Sequence, residues 1–458
     1  MSLTKVTNSM ISGAVINVDD YGALGNGSDD SAAINAALAA CPTDGTVVGS
    51  NGKTYSIAQQ VTITSCTLSN INFRFIANNG YLVLTGNKTQ LRNCIITING
   101  YSHVSSSNSL WGAINLHLTT GAILDNVVIT DGKLTDSVGV FCATKASQTR
   151  IVNCNFGYSG FGIWFNDNNT SVPYTNIRTV NGTTYTGTIG QGLTVINCAM
   201  GATDKTANGD AIEINTPINR FTDVQIIGNT CYATKNETAG ASNGIGFSCA
   251  EVDGVVMSNN YVSNVVAGAG ALHVENCTIV SITGNVLKDN FVAIGAGNRG
   301  ANTSITGNTF TNNVTAPFNG LIISSNNFYL SNGYSITLTD VVNVQLSNNI
   351  WRNVTAASVG NQLIQVIQSD QTEVNFVIIK DNIFNEDNSQ DYSILTTTGT
   401  VRNMFSSGNV FSNLSNSQMQ NYIKLIQVHG LTQDFLPING ATNGMAITVN
   451  YDPNGYFT

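Results

Sequence analysis

Charge, proline, histidine and long apolar runs are scarce in this chain, and each scarcity excludes something. Only 10% of the 458 residues are charged, and the 18 Lys and Arg are scattered with no basic stripe. With a net charge of −9, that argues against nucleic acid as a partner. No apolar run reaches the roughly 18 residues a membrane-spanning helix needs, so membrane insertion is not expected. The opening MSLTKVTNSM has no apolar signal core, and the expectation is synthesis in the cytoplasm with no visible export route. Four histidines and nine cysteines without a CxxC pair leave no clustered set of zinc ligands, so neither a metal nor another cofactor is expected. The cysteines are expected as reduced thiols; Cys94, Cys154, Cys198 and Cys277 each follow an asparagine and read as small buried hydrophobes in a repeated interior position. Six prolines and an even profile mark no linker, although the length alone suggests several domains.

What is abundant is glycine, at 44 residues, with recurring Asn, Ser and Thr on a 42% hydrophobic background. That mixture suits a repetitive all-β protein. Val15 to Tyr21 reads as a strand, and Ser31 to Cys41 as the one convincing amphipathic helix, with Ile34, Ala37, Leu38 and Cys41 on one face. Asp30 is the expected N-cap, assisted by Asp29, and Pro42 stops the helix. From about residue 60 onward, short apolar strands run into Asn turns: IIGN ending at Asn229, VMSNN at Asn260, SITGN at Asn285 and again at Asn308, ISSNN at Asn327, QLSNN at Asn349, IIKDN at Asn382 and FSSGN at Asn409. Such a period predicts a solenoid, a parallel β-helix whose coils stack about 4.8 Å apart. Asn suits the shared turn because it tolerates the left-handed conformation and its amides can bond from coil to coil. A sandwich or propeller is the alternative, without a blade signature to support it.

VINVDDYGALGNGSDDSAAINAALAAC, residues 15–41, resembles the N-terminal signature of the pectate-lyase-like superfamily of right-handed β-helices. The preceding SLTKVTNSMISGAVINV is similar to the start of tailed-phage tailspikes, and GDAIE (209–213) followed by HVEN (273–276) resembles the acidic segments of such phage proteins. The resemblance implies a homotrimeric receptor-binding spike that degrades bacterial surface polysaccharide, partnered by phage tail or baseplate proteins and located at the virion tail. It also implies an organisation in three parts: a short attachment segment at 1–27, a right-handed parallel β-helix with its capping helix at 28–412, and a C-terminal cap or subunit-contact segment at 413–458.

Stacking the rows GIWFN (162–166), AIEIN (211–215), GIGFS (244–248), ALHVE (271–275) and AIGAG (293–297) assigns inward and outward columns. One outward column reads Trp164, Glu213, Gly246, His273, Gly295; the next reads Asn166, Asn215, Ser248, Glu275, Gly297. Gly246 then offers a bare floor between Glu213 and His273, and Trp164 a platform for a pyranose face. Glu213 and Glu275 are expected as a catalytic pair at the spacing of an inverting glycosidase, about 6.5–9.5 Å. Asp210 and His273 are candidate tuning groups, although Asp210 equally suits bonding to turn amides. Asn215 is a candidate sugar contact, Glu251 and Asp253 are rival carboxylates, and Arg299 is a candidate charge neutraliser for β-elimination. A hydrolase is the leading expectation, with a polysaccharide lyase or a non-catalytic adhesin as alternatives.

Overall fold

The computed structural model describes residues 15–98, 112–130, 138–142, 146–157, 161–166, 179–180, 183–184, 190–201, 210–216, 221–232, 245–265, 270–288, 292–297, 300–310, 313–316, 318–329, 336–352, 362–368, 374–385, 393–399, 401–412, 430–433, 435–436 and 445–446. The chain divides into two compact units, one of residues 1–256 with 264–268 and the other of 257–263 with 269–458. Both are built as right-handed parallel β-helix.

In the first unit one ladder runs through Val61–Thr64, Leu82–Asn87, Gly112–Thr120, Val138–Cys142, Phe161–Asn166, Ile212–Asn215 and Phe247–Ala250, every step parallel. In the second, the corresponding ladder runs through Leu272–Glu275, Val292–Gly297, Asn313–Ala316, Ile336–Thr339, Gln362–Ile367 and Ser393–Thr398. Along these two ladders each strand's neighbours are parallel and a whole coil away, which removes the sandwich and propeller alternatives. Ile163, Ile212, Ile214, Leu272, Val274 and Ile294 are fully enclosed, as their alternation required.

The N-terminal cap differs from expectation in two details. The opening strand is only Val15–Asn17, because a 3-10 turn at Val18–Tyr21 follows it and ends on Gly22 in the left-handed region. The helix Ser31–Ala40 does bury Ile34, Ala37 and Leu38, but the two aspartates exchange roles. Asp30 occupies the cap position without making the capping bond. Its carboxylate instead accepts the backbone N–H groups of Leu24 (2.7 Å), Gly25 (3.3 Å) and Ser56 (3.2 Å). Asp29 accepts the Ser31 N–H at 3.0 Å and so caps the helix. Asp30→Ala is therefore expected to release the Gly-rich turn from the first coil at a cost of about 2–4 kcal/mol, read as a lower denaturant midpoint. An unchanged midpoint would show that the turn holds without it.

The Asn turns divide two jobs between adjacent residues. In the second unit Asn259, Gly284, Gly307, Ser325, Asn348, Asp381 and Gly408 take positive φ, from 54° to 67°. The next residues, Asn260, Asn285, Asn308, Asn326, Asn349, Asn382 and Asn409, are buried and form a continuous ladder. Each Nδ2 donates to the next Oδ1 at 2.9–3.0 Å. That same oxygen also takes the preceding asparagine's backbone N–H at 2.8–3.1 Å. In the first unit the left-handed residues Asn93, Asn153 and Asn197 precede cysteines instead. Cys94, Cys154 and Cys198 are buried there, and all nine cysteines are free. Inside the second unit the rings of Phe310, Phe328, Trp351 and Phe384 form a continuous pile with centroids 4.6–5.0 Å apart.

Candidate active site

The acidic segment sits on the first unit's ladder. Trp164 lies directly opposite Glu213 and Asn166 opposite Asn215, as the rows expected. Both Trp164 and Glu213 are half-buried on the outward side. The next strand corrects the expectation. Glu213 faces Ser248, and Ile214 faces Cys249, so the strand Phe247–Ala250 is displaced by two residues from the expected row. Ile245 and Gly246 still belong to the turn, where their carbonyls accept the Ala211 and Ile212 N–H groups at 3.1 Å. Gly246 is thus no floor beside Glu213, and buried Ser248 stands there.

Asp210 begins the strand from a buried position, with Oδ1 accepting the Ile245 N–H at 3.0 Å. Its expected role as a partner for turn amides is therefore real. Burial, and then the neighbouring Glu213 carboxylate, hold its carboxyl well above the usual range, against the pull of that N–H. Burial also raises Glu213. The Asn215 amide, which donates to Glu213 Oε1 at 3.3 Å, favours its charged form and limits the rise. Two neighbouring carboxyls therefore carry protons at a pH where exposed ones have lost them.

A stability prediction follows for Asp210. Its folded pKa lies above the unfolded value of about 3.9, so its contribution is fully present below that value. The contribution is lost as pH rises through the raised folded pKa. Asp210→Asn keeps an oxygen for the Ile245 N–H and removes the buried charge. The variant is expected to melt above wild type at pH 7 and level with it at about pH 3.5. Equal midpoints at both pH values would refute the assignment.

Around Trp164 the chain breaks its alternation. A Cβ on Gly162 would meet the Ala211 carbonyl oxygen at 2.5 Å and the Met200 sulfur at 3.5 Å, so position 162 faces the interior. Phe161 and Trp164 consequently lie on one side, their rings stacked at 4.7 Å with 13° between planes. Phe141, on the preceding coil, meets the indole edge-on at 5.4 Å. Phe161 carried no signal in the sequence, because alternation assigns it to the same face as Ile163.

Of the other expected residues, Glu251 and Asp253 are half-buried in the first unit. Glu251 takes a φ of 59°, and its carbonyl accepts the Thr216 hydroxyl at 3.3 Å. His273 and Glu275 belong to the second unit, where Gly295 lies opposite His273 and Gly297 opposite Glu275. Burial lowers His273 to about 4, so its imidazole is neutral at pH 7. A neutral imidazole offers a neighbouring carboxyl no positive charge, so the expected tuning by His273 cannot run through its proton at that pH. Of the expected catalytic pair, Glu213 belongs to the first unit and Glu275 to the second. Arg299 lies outside the described residues. Among the described residues no group of three His, Cys, Asp or Glu is placed to hold a metal ion, and no helix is long and apolar enough to cross a membrane.

Comparison with solved structures gives the fold an independent footing. The N-terminal fragment of bacteriophage Phi29 gene product 12 matches with a TM-score of 0.52 and 14% identity, over 86% of this chain and 66% of that one. Tailspike protein 3 of bacteriophage CBA120 matches at 0.46 and 13%, over 88% and 60% of the two chains. PfbA, a surface adhesin of Streptococcus pneumoniae, matches at 0.41 and 12%, over 95% and 98%. No protein-family model matches the chain, and no curated protein does. At these identities the likeness concerns the fold.

Proposed function

We propose that the chain is a phage tailspike that binds and hydrolyses bacterial surface polysaccharide, a capsule or exopolysaccharide, with Glu213 as the proton-transferring carboxyl. One observation carries the reading: Glu213 is half-buried and its pKa raised, on the outward side of a β-helix ladder, beside an aromatic pair and the buried Asp210 carboxyl, whose pKa is raised as well. A carboxylic acid whose pKa is raised by burial keeps its proton to higher pH and can protonate a glycosidic oxygen as the C–O bond breaks. Asp210 is too deeply enclosed to meet a sugar, and acts by keeping the surroundings of Glu213 uncharged once it is itself protonated. Within the unit of Glu213 the candidates for the carboxylate that activates water are Glu251 and Asp253, and each has its own amide variant as a test. Homotrimer assembly, attachment to tail or baseplate proteins and action at the host surface belong to the same proposal, supported by the resemblance of the opening residues to tailspikes.

The test is incubation of the purified protein with a panel of capsular and exopolysaccharides, following viscosity, reducing ends and ultraviolet absorbance. New reducing ends without an absorbing unsaturated uronate are the expected result. An absorbing product would convert the reading to a lyase, and binding without any loss of viscosity would convert it to an adhesin.

A further inference from the structure

Two outward columns of the second unit run beside the asparagine corner, one on each side of it. On one side Gln345, Ile378 and Phe405 lie opposite one another in register. On the other, Ile350, Ile383 and Val410 do the same. Each coil therefore gives one residue to each face at a matched level. Phe405, Ile383 and Val410 are exposed, Val410 at 55%. Between the faces, the left-handed corner residues at these levels are Asn348, Asp381 and Gly408, none of them bulky. The far edge of the first face adds a strained residue. A second left-handed column there reads Asn302, Gly320, Asn343, Phe376 and Asn403, with φ from 52° to 67°. Asn and Gly tolerate that conformation, whereas a phenylalanine in it is an outlier that costs stability. Phe376 is nonetheless 47% exposed, so burial within its own chain does not repay the strain.

We propose that these faces dock a second copy of this chain, the first face of one copy against the second face of its neighbour. The inference deepens the assembly part of the preceding reading, and rests on it for the number of copies. Three features select a copy over another partner. Rotation about an axis parallel to the coils keeps every level at its height. Phe405 of one copy then stands level with Val410 of the next, and Ile378 with Ile383. A head-to-tail contact of this kind closes into a ring. The second feature is the corner, whose short side chains allow close approach to that axis. The third is charge. Lys380 and Asp381 share one coil, Lys380 on the first face and Asp381 at the corner, and neither forms an ion pair among the described residues. Lys380 of one copy and Asp381 of the next are complementary at that level. Contact across these faces also covers Phe376, which accounts for an aromatic ring at a position suited to asparagine.

Sedimentation of the full chain reads the association without any sugar, and wild type is expected as a trimer. Phe405→Asp on one face and Val410→Asp on the other should each weaken association at least about 100-fold. Leu118→Asp, at an exposed position of the first unit, should leave it within about twofold of wild type. Phe376→Asn should also weaken association. In the monomeric Phe405→Asp background, however, it should leave the melting temperature unchanged or raise it, because the left-handed strain is relieved. A lower melting temperature there with association intact would give Phe376 a role inside its own chain. Oxidative crosslinking tests the pairing of faces. Phe405→Cys combined with Val410→Cys should yield covalent trimers, and Phe405→Cys alone none. Covalent dimers from Phe405→Cys alone would mean that like faces meet, against the proposal. Wild type that sediments as a monomer, or a trimer that survives both aspartates, would overturn it. So would a monomer whose melting temperature falls in Phe405→Asp, which would assign the faces to a segment of the same chain. Failure to degrade any polysaccharide leaves the association result standing, and a monomer leaves the chemistry of Glu213 to its own test.

Discussion

Glu213→Gln is expected to reduce depolymerisation by about 10²- to 10⁴-fold while leaving the fold intact, the range for removal of a general acid. The amide keeps the length of the side chain and an oxygen for the Asn215 donor, so the ladder around it has no reason to move. What it loses is a titratable proton. Wild-type kcat/KM should fall as pH rises through the raised Glu213 pKa, because the acid form is the working form, and the residual activity of the variant should lack that limb. Glu275→Gln, Glu251→Gln and Asp253→Asn belong in the same series. The one that matches Glu213→Gln in severity is the base. Full activity in Glu213→Gln would remove the site from this face.

The second large effect concerns stability. Asn349 Oδ1 accepts the Asn326 backbone N–H at 3.1 Å and its Nδ2 at 3.0 Å. Asn349 Nδ2 donates to the Ile323 carbonyl at 2.9 Å and to Asn382 Oδ1 at 3.0 Å. All of this is buried, so Asn349→Leu strands several polar groups away from water. The expected cost is about 3–5 kcal/mol, read as a lower denaturant midpoint. The adjacent Asn348, at φ 55°, supplies backbone conformation, and Asn348→Gly is expected to change stability by less than about 1 kcal/mol. Similar losses from the two variants would mean that the turn, and not the ladder, is what the asparagines provide.

The fold was legible because a solenoid writes the same environment into the chain again and again. The Asn turns, the buried cysteines at 94, 154 and 198, and the capping helix were each readable from local pattern alone. Which of two adjacent residues does which job was not readable, since both the left-handed position and the ladder position favour asparagine. The same ambiguity hid the exchange between Asp29 and Asp30. The misplacement of Gly246 has a sharper cause. A slip of one residue in a strand exchanges inside for outside and contradicts the hydrophobic pattern, whereas a slip of two preserves it. Ile245 and Phe247 are equally apolar, so periodicity had no means to choose between them. Phe161 was missed for the opposite reason: alternation does choose, and it fails where an interior glycine breaks the pleat. His273 does lie opposite Gly295 as the rows expected, but its charge state depends on burial, which no spacing reveals.

The asparagine ladder has a consequence for how such a protein can change. Successive rungs are separated in sequence by 25, 23, 18, 23, 33 and 27 residues, yet each meets the next with nearly the same bonds. The corner therefore works as a ruler mark. It resets the register once per coil, whatever length of chain has been spent elsewhere on the circuit. Surface segments can lengthen, shorten or be exchanged between one rung and the next without displacing the coils beyond. A scaffold with such a mark separates the inheritance of shape from the invention of specificity.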